Sequence, residues 1–256
     1  MRRRLLIFSL LALIASGIYV GDAFFKAWRL APEVPRLFSN RYIQGKLKLN
    51  GWLPLPNISA PAIGAIVASE DDDFYQHGGI ELHSIKDAFI TDLRHFRFER
   101  GASTITQQVV KNVFLNREKS IRRKIEEFFL ARKVEQAVDK DRILEVYLNT
   151  AQFGEGLYGI GPASNFYFHK KASDLTLKEG AFLAMLLPSP VRYSQSFTRK
   201  KLTPYAEKTI EVILKRMEDD GNLPPGQWMN EVSTPLSFEA AKIAPVPTAT
   251  PSTVSK

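Results

Sequence analysis

The chain has 256 residues, 35 Lys and Arg against 27 Asp and Glu, a formal charge of +8 and no cysteine. That length holds one sizeable domain with appendages, and the missing thiols exclude disulfides and thiolate metal sites, so packing alone must hold the fold. The positive excess suits nucleic acid, an anionic lipid surface or a phosphorylated ligand.

Arg2, Arg3 and Arg4 precede LLIFSLLALIASGIYV, an uncharged run that extends towards Phe25. It predicts a membrane anchor over residues 5–25, with residues 1–4 cytoplasmic and everything after Lys26 on the outer side. A cleaved signal peptide is the rival reading, because Ala15, Ser16 and Gly17 are small enough for a processing site. Export in either form argues against a nucleic-acid partner and leaves lipid or diphosphate.

Residues 26–58 carry several prolines and aromatics without a sustained helical period, and read as an extended juxtamembrane connector that packs in part on the domain. From Ser59 the pattern changes. Pro61, Ile63, Ile66 and Val67 predict a helix over Pro61–Phe74 that runs into the acidic stretch SEDDDFYQHGG. Further helical periods fall at Leu82–Leu93, Thr104–Leu115, Ser120–Val138, Asp141–Leu148, Pro162–Phe168, Thr176–Leu187 and Pro204–Met217, with no convincing strand alternation. The expectation is a mainly α catalytic domain over 59–235. Glycines crowd the connection QFGEGLYGIGP, and residues 236–256, rich in Pro, Thr and Ser, read as a disordered tail.

On the predicted helix, Glu70, Phe74 and His77 share one face, while Asp72 and Asp73 point to solvent. Glu70 follows an apolar turn, so burial would raise its pKa towards the range useful for proton transfer; a solvated helix end gives the same pattern. His77 has no ligand spacing with the other histidines and reads as a hydrogen-bonded structural residue. In GASTITQQVVKN, Thr104 and Gln107 form a capping box, and Thr104, Gln108 and Lys111 fall on one face of a helix whose N-terminus could bind an anion. Arg123, Glu127, Ala131 and Glu135 recur at four-residue spacing in RRKIEEFFLARKVEQ, a pattern usual for a solvated salt-bridge face. Two carboxylates, one in an apolar setting and one beside arginine, suit glycosidic-bond chemistry in either direction. In FITDLRHFRFER, Phe89 to Arg100, aromatics alternate with arginines as at a membrane interface or in an ordinary surface loop.

Five segments in order, EDDDFYQHGG, GASTITQQVVKN, RKIEEFFLARKVE, ILEVYLNTAQFGEGLYGIGPASNFYF and AFLAMLLPSPVRY, make the chain resemble the peptidoglycan glycosyltransferases of family 51. The likeness runs from about Ile63 to Tyr193. It implies a lysozyme-like α fold with a small membrane-associated jaw, polymerising lipid II on the outer face of a bacterial cytoplasmic membrane. Glu70 takes the role of general base and Glu127 that of the second essential glutamate. Ser103, Thr104, Gln108, Lys111 and Arg123 match donor-site positions, and Asp71, Phe74, His77 and Asn112 match supporting ones. No cofactor is obligatory by this likeness, with Mg or Mn a possible aid. The implied partners are lipid II, the growing strand, the membrane, and cell-wall synthases or division proteins. No SxxK sequence occurs, which points to a monofunctional enzyme. A lytic enzyme of the same architecture and a non-catalytic lipid II-binding scaffold are the alternatives.

Overall fold

A computed structural model describes residues 17–49, 51–81, 103–116 and 120–240. The expected helix at Leu82–Leu93 and the aromatic–arginine stretch at Phe89 to Arg100 lie outside the described residues.

The chain is mainly helical, as expected. Helix α1 covers residues 17–30 and is followed by α2 (Val34–Leu37) and α3 (Asn40–Leu47). The expectation of an extended connector is therefore corrected. Ala27, Val34, Phe38 and Ile43 are buried in the main core, and the apparent lack of period reflects a stretch broken into separate helices, two of them only four and eight residues long. Beyond them Trp52 Nε1–H and Leu55 N–H donate to Glu145, while Leu53 and Asn149 exchange two hydrogen bonds of 2.8 and 2.9 Å.

Helix α4 (Ala60–Glu70) starts at Ser59, whose hydroxyl accepts from Ala62 N–H and donates to Leu175 O. Pro at the first turn costs nothing there, because its missing N–H would have no intrahelical partner. Next come α5 (Ile105–Val113), α6 (Ile121–Ala137) and α7 (Lys140–Thr150). The glycine-rich connection folds into a two-stranded antiparallel pair, β1 (Gln152–Gly154) and β2 (Leu157–Tyr158). Five strand residues are too few to show an alternating pattern.

The remaining helices are α8 (Ile160–Phe168), α9 (Leu177–Leu186), α10 (Pro190–Tyr193), α11 (Gln195–Thr198), α12 (Pro204–Asp219), α13 (Gln227–Ser233) and α14 (Ser237–Ala240). Every residue of α9 is buried, so it is the central helix, surrounded by α4, α10, α12 and α13. It meets α4 most closely at Gly180, where an added Cβ would stand 2.4 Å from Ala62 Cα. Lys178, also buried on α9, donates its ammonium to Val232 O and Thr234 O, neutralising the carbonyl end of α13. Leu236 and Phe238 are buried too, Phe238 against Phe168 and Phe182. Core packing thus continues past residue 235, where the sequence suggested a tail, because two apolar side chains suffice to dock the segment.

Among the described residues no helix is long and apolar enough to cross a membrane. Residues 1–16, most of the expected anchor, lie outside them.

Candidate active site

Helix α4 ends at Glu70, not at Phe74. Asp71 leaves the helical region with φ −166° and ψ 74°. Three more acids at the carbonyl end would oppose the helix dipole, and Arg216 supplies the compensating cation by donating to Ala68 O at 3.0 Å. Glu70, Phe74 and His77 therefore do not share a helical face. The chain turns instead, and Asp71, only 5% exposed, becomes the residue that organises the turn.

Gly79 N–H donates to His77 Nδ1, which leaves the ring proton on Nε2, and that N–H donates to Asp71 Oδ1 at 2.7 Å. Asp71 Oδ2 accepts the Ile105 N–H at the start of α5. Both His77 ring nitrogens are thus hydrogen-bonded within the fold. Phe74 is fully buried below the turn with the Lys140 ammonium 4.3 Å from its ring centre.

The Thr104–Gln107 capping box forms as read from the sequence. Thr104 also donates its hydroxyl to Gly79 O at 2.7 Å. Gly79 sits at φ +84°, and a Cβ there would meet Glu135 Cγ at 2.6 Å, so only glycine closes this junction. The Ile105 N–H at the start of α5 is consequently taken by Asp71, so at that residue the expectation of a donor to an external anion is corrected.

These bonds set the phase of α5 so that Gln108 reaches Glu70. Gln108 Nε2–H donates to Glu70 Oε2 at 2.6 Å, and Tyr147 O–H, from the fully buried ring on α7, donates to the same oxygen at 3.2 Å. Burial raises the Glu70 pKa above its ordinary 4.5; the two hydrogen bonds and the positive charge of Lys111 oppose that rise without cancelling it. The Tyr147 hydroxyl is pushed well above its ordinary pKa by burial and by the neighbouring Glu70 charge, so it stays a donor.

The second carboxylate, Glu127 on α6, is 1% exposed. Arg123 Nη1 approaches its Oε2 at 3.3 Å and Lys124 Nζ its Oε1. Lys124 also donates to the Ser103 hydroxyl at 2.8 Å, which ties α6 to the segment preceding α5. Arg123 Nε is buried without a hydrogen-bond partner among the described residues. Lys111 keeps an open surface, yet surrounding protein lowers its pKa, and the charges of both Glu127 and Glu70 pull it back up. Its charge thus interacts with both carboxylates. Asn112 is exposed beside it.

The transglycosylase family profile matches residues 40–218. The chain belongs to the transglycosylase family. It is 38% identical over 191 residues to the biosynthetic peptidoglycan transglycosylase of Paraburkholderia xenovorans, covering 75% of this chain and 74% of that protein. It is also 39% identical over 188 residues to penicillin-binding protein 1A of Aquifex aeolicus and 37% identical over 188 residues to penicillin-binding protein 2D of Bacillus subtilis. Each match covers 73% of this chain. The chain spans only 25% and 27% of those two relatives.

Of the residues expected in the site of this transglycosylase, Glu70 and Gln108 form one hydrogen-bonded group and Ser103, Arg123 and Glu127 another, with Lys111 between their charges. Thr104, Asp71, His77 and Phe74 build the junction beneath. Tyr147 carried no role in the sequence reading, although it lies in the quoted ILEVYLN. Glu145 and Asn149 of that segment hold the chain at 52–55, while Tyr147 faces Glu70. Lys124 was missed as well, because i, i+3 neighbours of Glu127 look like ordinary surface charge.

Among the described residues no three His, Cys, Asp or Glu side chains cluster as metal ligands. Both Glu127 oxygens are engaged by cations, so the donors among the described residues do not fit a resident Mg or Mn.

Proposed function

We propose that this transglycosylase polymerises lipid II into β-1,4-linked glycan, working as a lysozyme-like domain tethered by residues 5–25 to the outer face of a bacterial cytoplasmic membrane. The observation that carries the reading is the paired site: a carboxylate of raised pKa, Glu70, set apart from the cationic group of Lys111, Arg123 and Lys124 around Glu127.

Both donors to Glu70 converge on Oε2. Oε1 is then the oxygen that takes the proton from the acceptor's GlcNAc 4-hydroxyl. As that proton leaves, the hydroxyl oxygen bonds to the anomeric carbon of the growing chain, and the bond from that carbon to the diphosphate breaks. One displacement inverts the centre and releases undecaprenyl diphosphate. The departing charge is met by Lys111, Lys124 and Arg123, with Glu127 holding Arg123 and Lys124 in place. A lytic enzyme has no anionic leaving group, so this cationic cluster favours synthesis.

Residues 1–256 contain no SxxK sequence, and the proposal covers glycosyl transfer alone. Cell-wall synthases or division proteins are the partners it implies. The test is incubation of purified full chain with lipid II. Long glycan strands from the wild type and none from Glu70→Gln support the reading, whereas polymerisation unchanged by that substitution overturns it.

A further inference from the structure

Helix α6 presents a second face beside the one carrying Arg123 and Glu127. On it Phe128, Phe129, Arg132 and Lys133 meet Phe24 and Trp28 of α1 around an open cavity of about 230 Å³. The two helices are clamped together at one end. Lys26 pairs with Glu126 at 2.7 Å, Arg122 pairs with Asp22 and Glu126, and Phe24 packs edge-on against Phe129 at 5.2 Å between centroids.

The charges along this seam are unequally satisfied. Lys26, Arg122, Arg123 and Lys124 each have a carboxylate partner. Arg132 and Lys133 have none among the described residues; Lys133 reaches only the Gln136 carboxamide. Both cations border a cavity whose aromatic rims stay open to solvent, with Phe24 45% and Trp28 55% exposed. Ile18, Tyr19 and Val20, upstream on α1, are exposed as well, and they are the last residues of the uncharged run that begins at Leu5.

We infer that this groove holds an anionic phospholipid of the surrounding bilayer, its phosphate against Arg132 and Lys133 and its upper acyl chains against Phe24, Trp28 and Phe128. The inference rests on the proposed membrane anchoring of residues 5–25. An apolar run that emerges through α1 brings Trp28 to the level of the headgroups, where aromatic rings concentrate. Long basic side chains lay their stems on apolar surface there and carry the charge to the phosphates. The volume lies below the roughly 300–1,000 Å³ that closes round a drug-sized ligand, which fits a headgroup and the start of its chains rather than a whole lipid. Two cations without carboxylate partners favour an anionic over a zwitterionic headgroup. The groove is separate from the Glu70 group, so its occupant would steady α1 on α6 without entering the reaction.

The test uses the full chain in detergent micelles, titrated with phosphatidylglycerol or phosphatidylcholine carrying brominated acyl chains, which quench nearby tryptophan. A Trp28→Phe variant identifies the quenched component that belongs to Trp28. The expected result is quenching of Trp28 by phosphatidylglycerol at about tenfold lower mole fraction than by phosphatidylcholine. That preference should vanish in Arg132→Gln/Lys133→Gln, with circular dichroism and melting unchanged. Equal quenching by the two lipids, or a preference that survives the double substitution, overturns the inference. Quenching by neither lipid overturns it together with the anchor, while lipid II polymerisation, measured separately, still reports on the catalytic proposal.

Discussion

Gln108 Nε2 donates to Glu70 Oε2 at 2.6 Å, joining the last residue of α4 to the second turn of α5. This bond favours the charged carboxylate and so opposes the desolvation that raises the Glu70 pKa. Gln108→Ala removes it, and the pKa of Glu70 must rise further. Since the base acts deprotonated, the acid limb of the kcat/KM profile moves to higher pH, while the rate at alkaline pH stays closer to wild type. A pH series of lipid II polymerisation measures this, and an unmoved limb would refute the assigned role. Tyr147→Phe should shift the limb in the same direction.

Glu70→Gln separates catalysis from stability. Loss of the proposed general base should lower the proposed polymerisation by about 10²-fold or more. Stability should change the other way. The folded pKa of Glu70 is raised above 4.5, so burying the carboxyl carries no charge penalty below that pH, and the penalty grows as pH rises through the folded value. The glutamine variant should therefore melt higher than wild type at about pH 8, with the gap closing towards about pH 4. Thermal unfolding at both pH values checks the sign.

Asp71 accepts from both His77 Nε2 and Ile105 N. Asp71→Ala strands two donors in a buried junction, at a cost of about 1–3 kcal/mol each. Denaturant titration should show that loss. The same variant should lose kcat as well, because α5 would no longer be held where Gln108 meets Glu70.

Glycine positions offer a test of opposite signs. Gly180→Ala places a Cβ 2.4 Å from Ala62 Cα in the α4–α9 contact. Alanine's better helix propensity, about 1 kcal/mol, cannot offset a backbone clash, and a net loss of about 1–3 kcal/mol is expected. Gly45, inside α3, has nothing within 4 Å of its would-be Cβ. There the same substitution should be neutral or stabilising by up to about 1 kcal/mol, read by comparing melting temperatures.

Most helices from α5 onward were legible because their apolar residues recur at helical spacing and their starts carry side-chain caps, as at Thr104, Ser120 and Thr176. The family was legible as ordered motifs, each a local string. The end of α4 was not, because only the distant Arg216 and Ile105 decide where the helix stops and where the Asp71 carboxylate turns. Residues 31–47 hid their helices because α2 and α3, at four and eight residues, are too short to repeat a period, and the neighbouring α1 is held by partners about a hundred residues away, such as Glu126 for Lys26. The pairing of Tyr147 with Glu70, 77 residues apart, belongs to the same class. Sequence by itself determined the family and the helical class, since these rest on local pattern and residue type. Tertiary structure alone decided which donors converge on Glu70 and which cations enclose Glu127, because hydrogen bonds and desolvation depend on distance in space rather than along the chain.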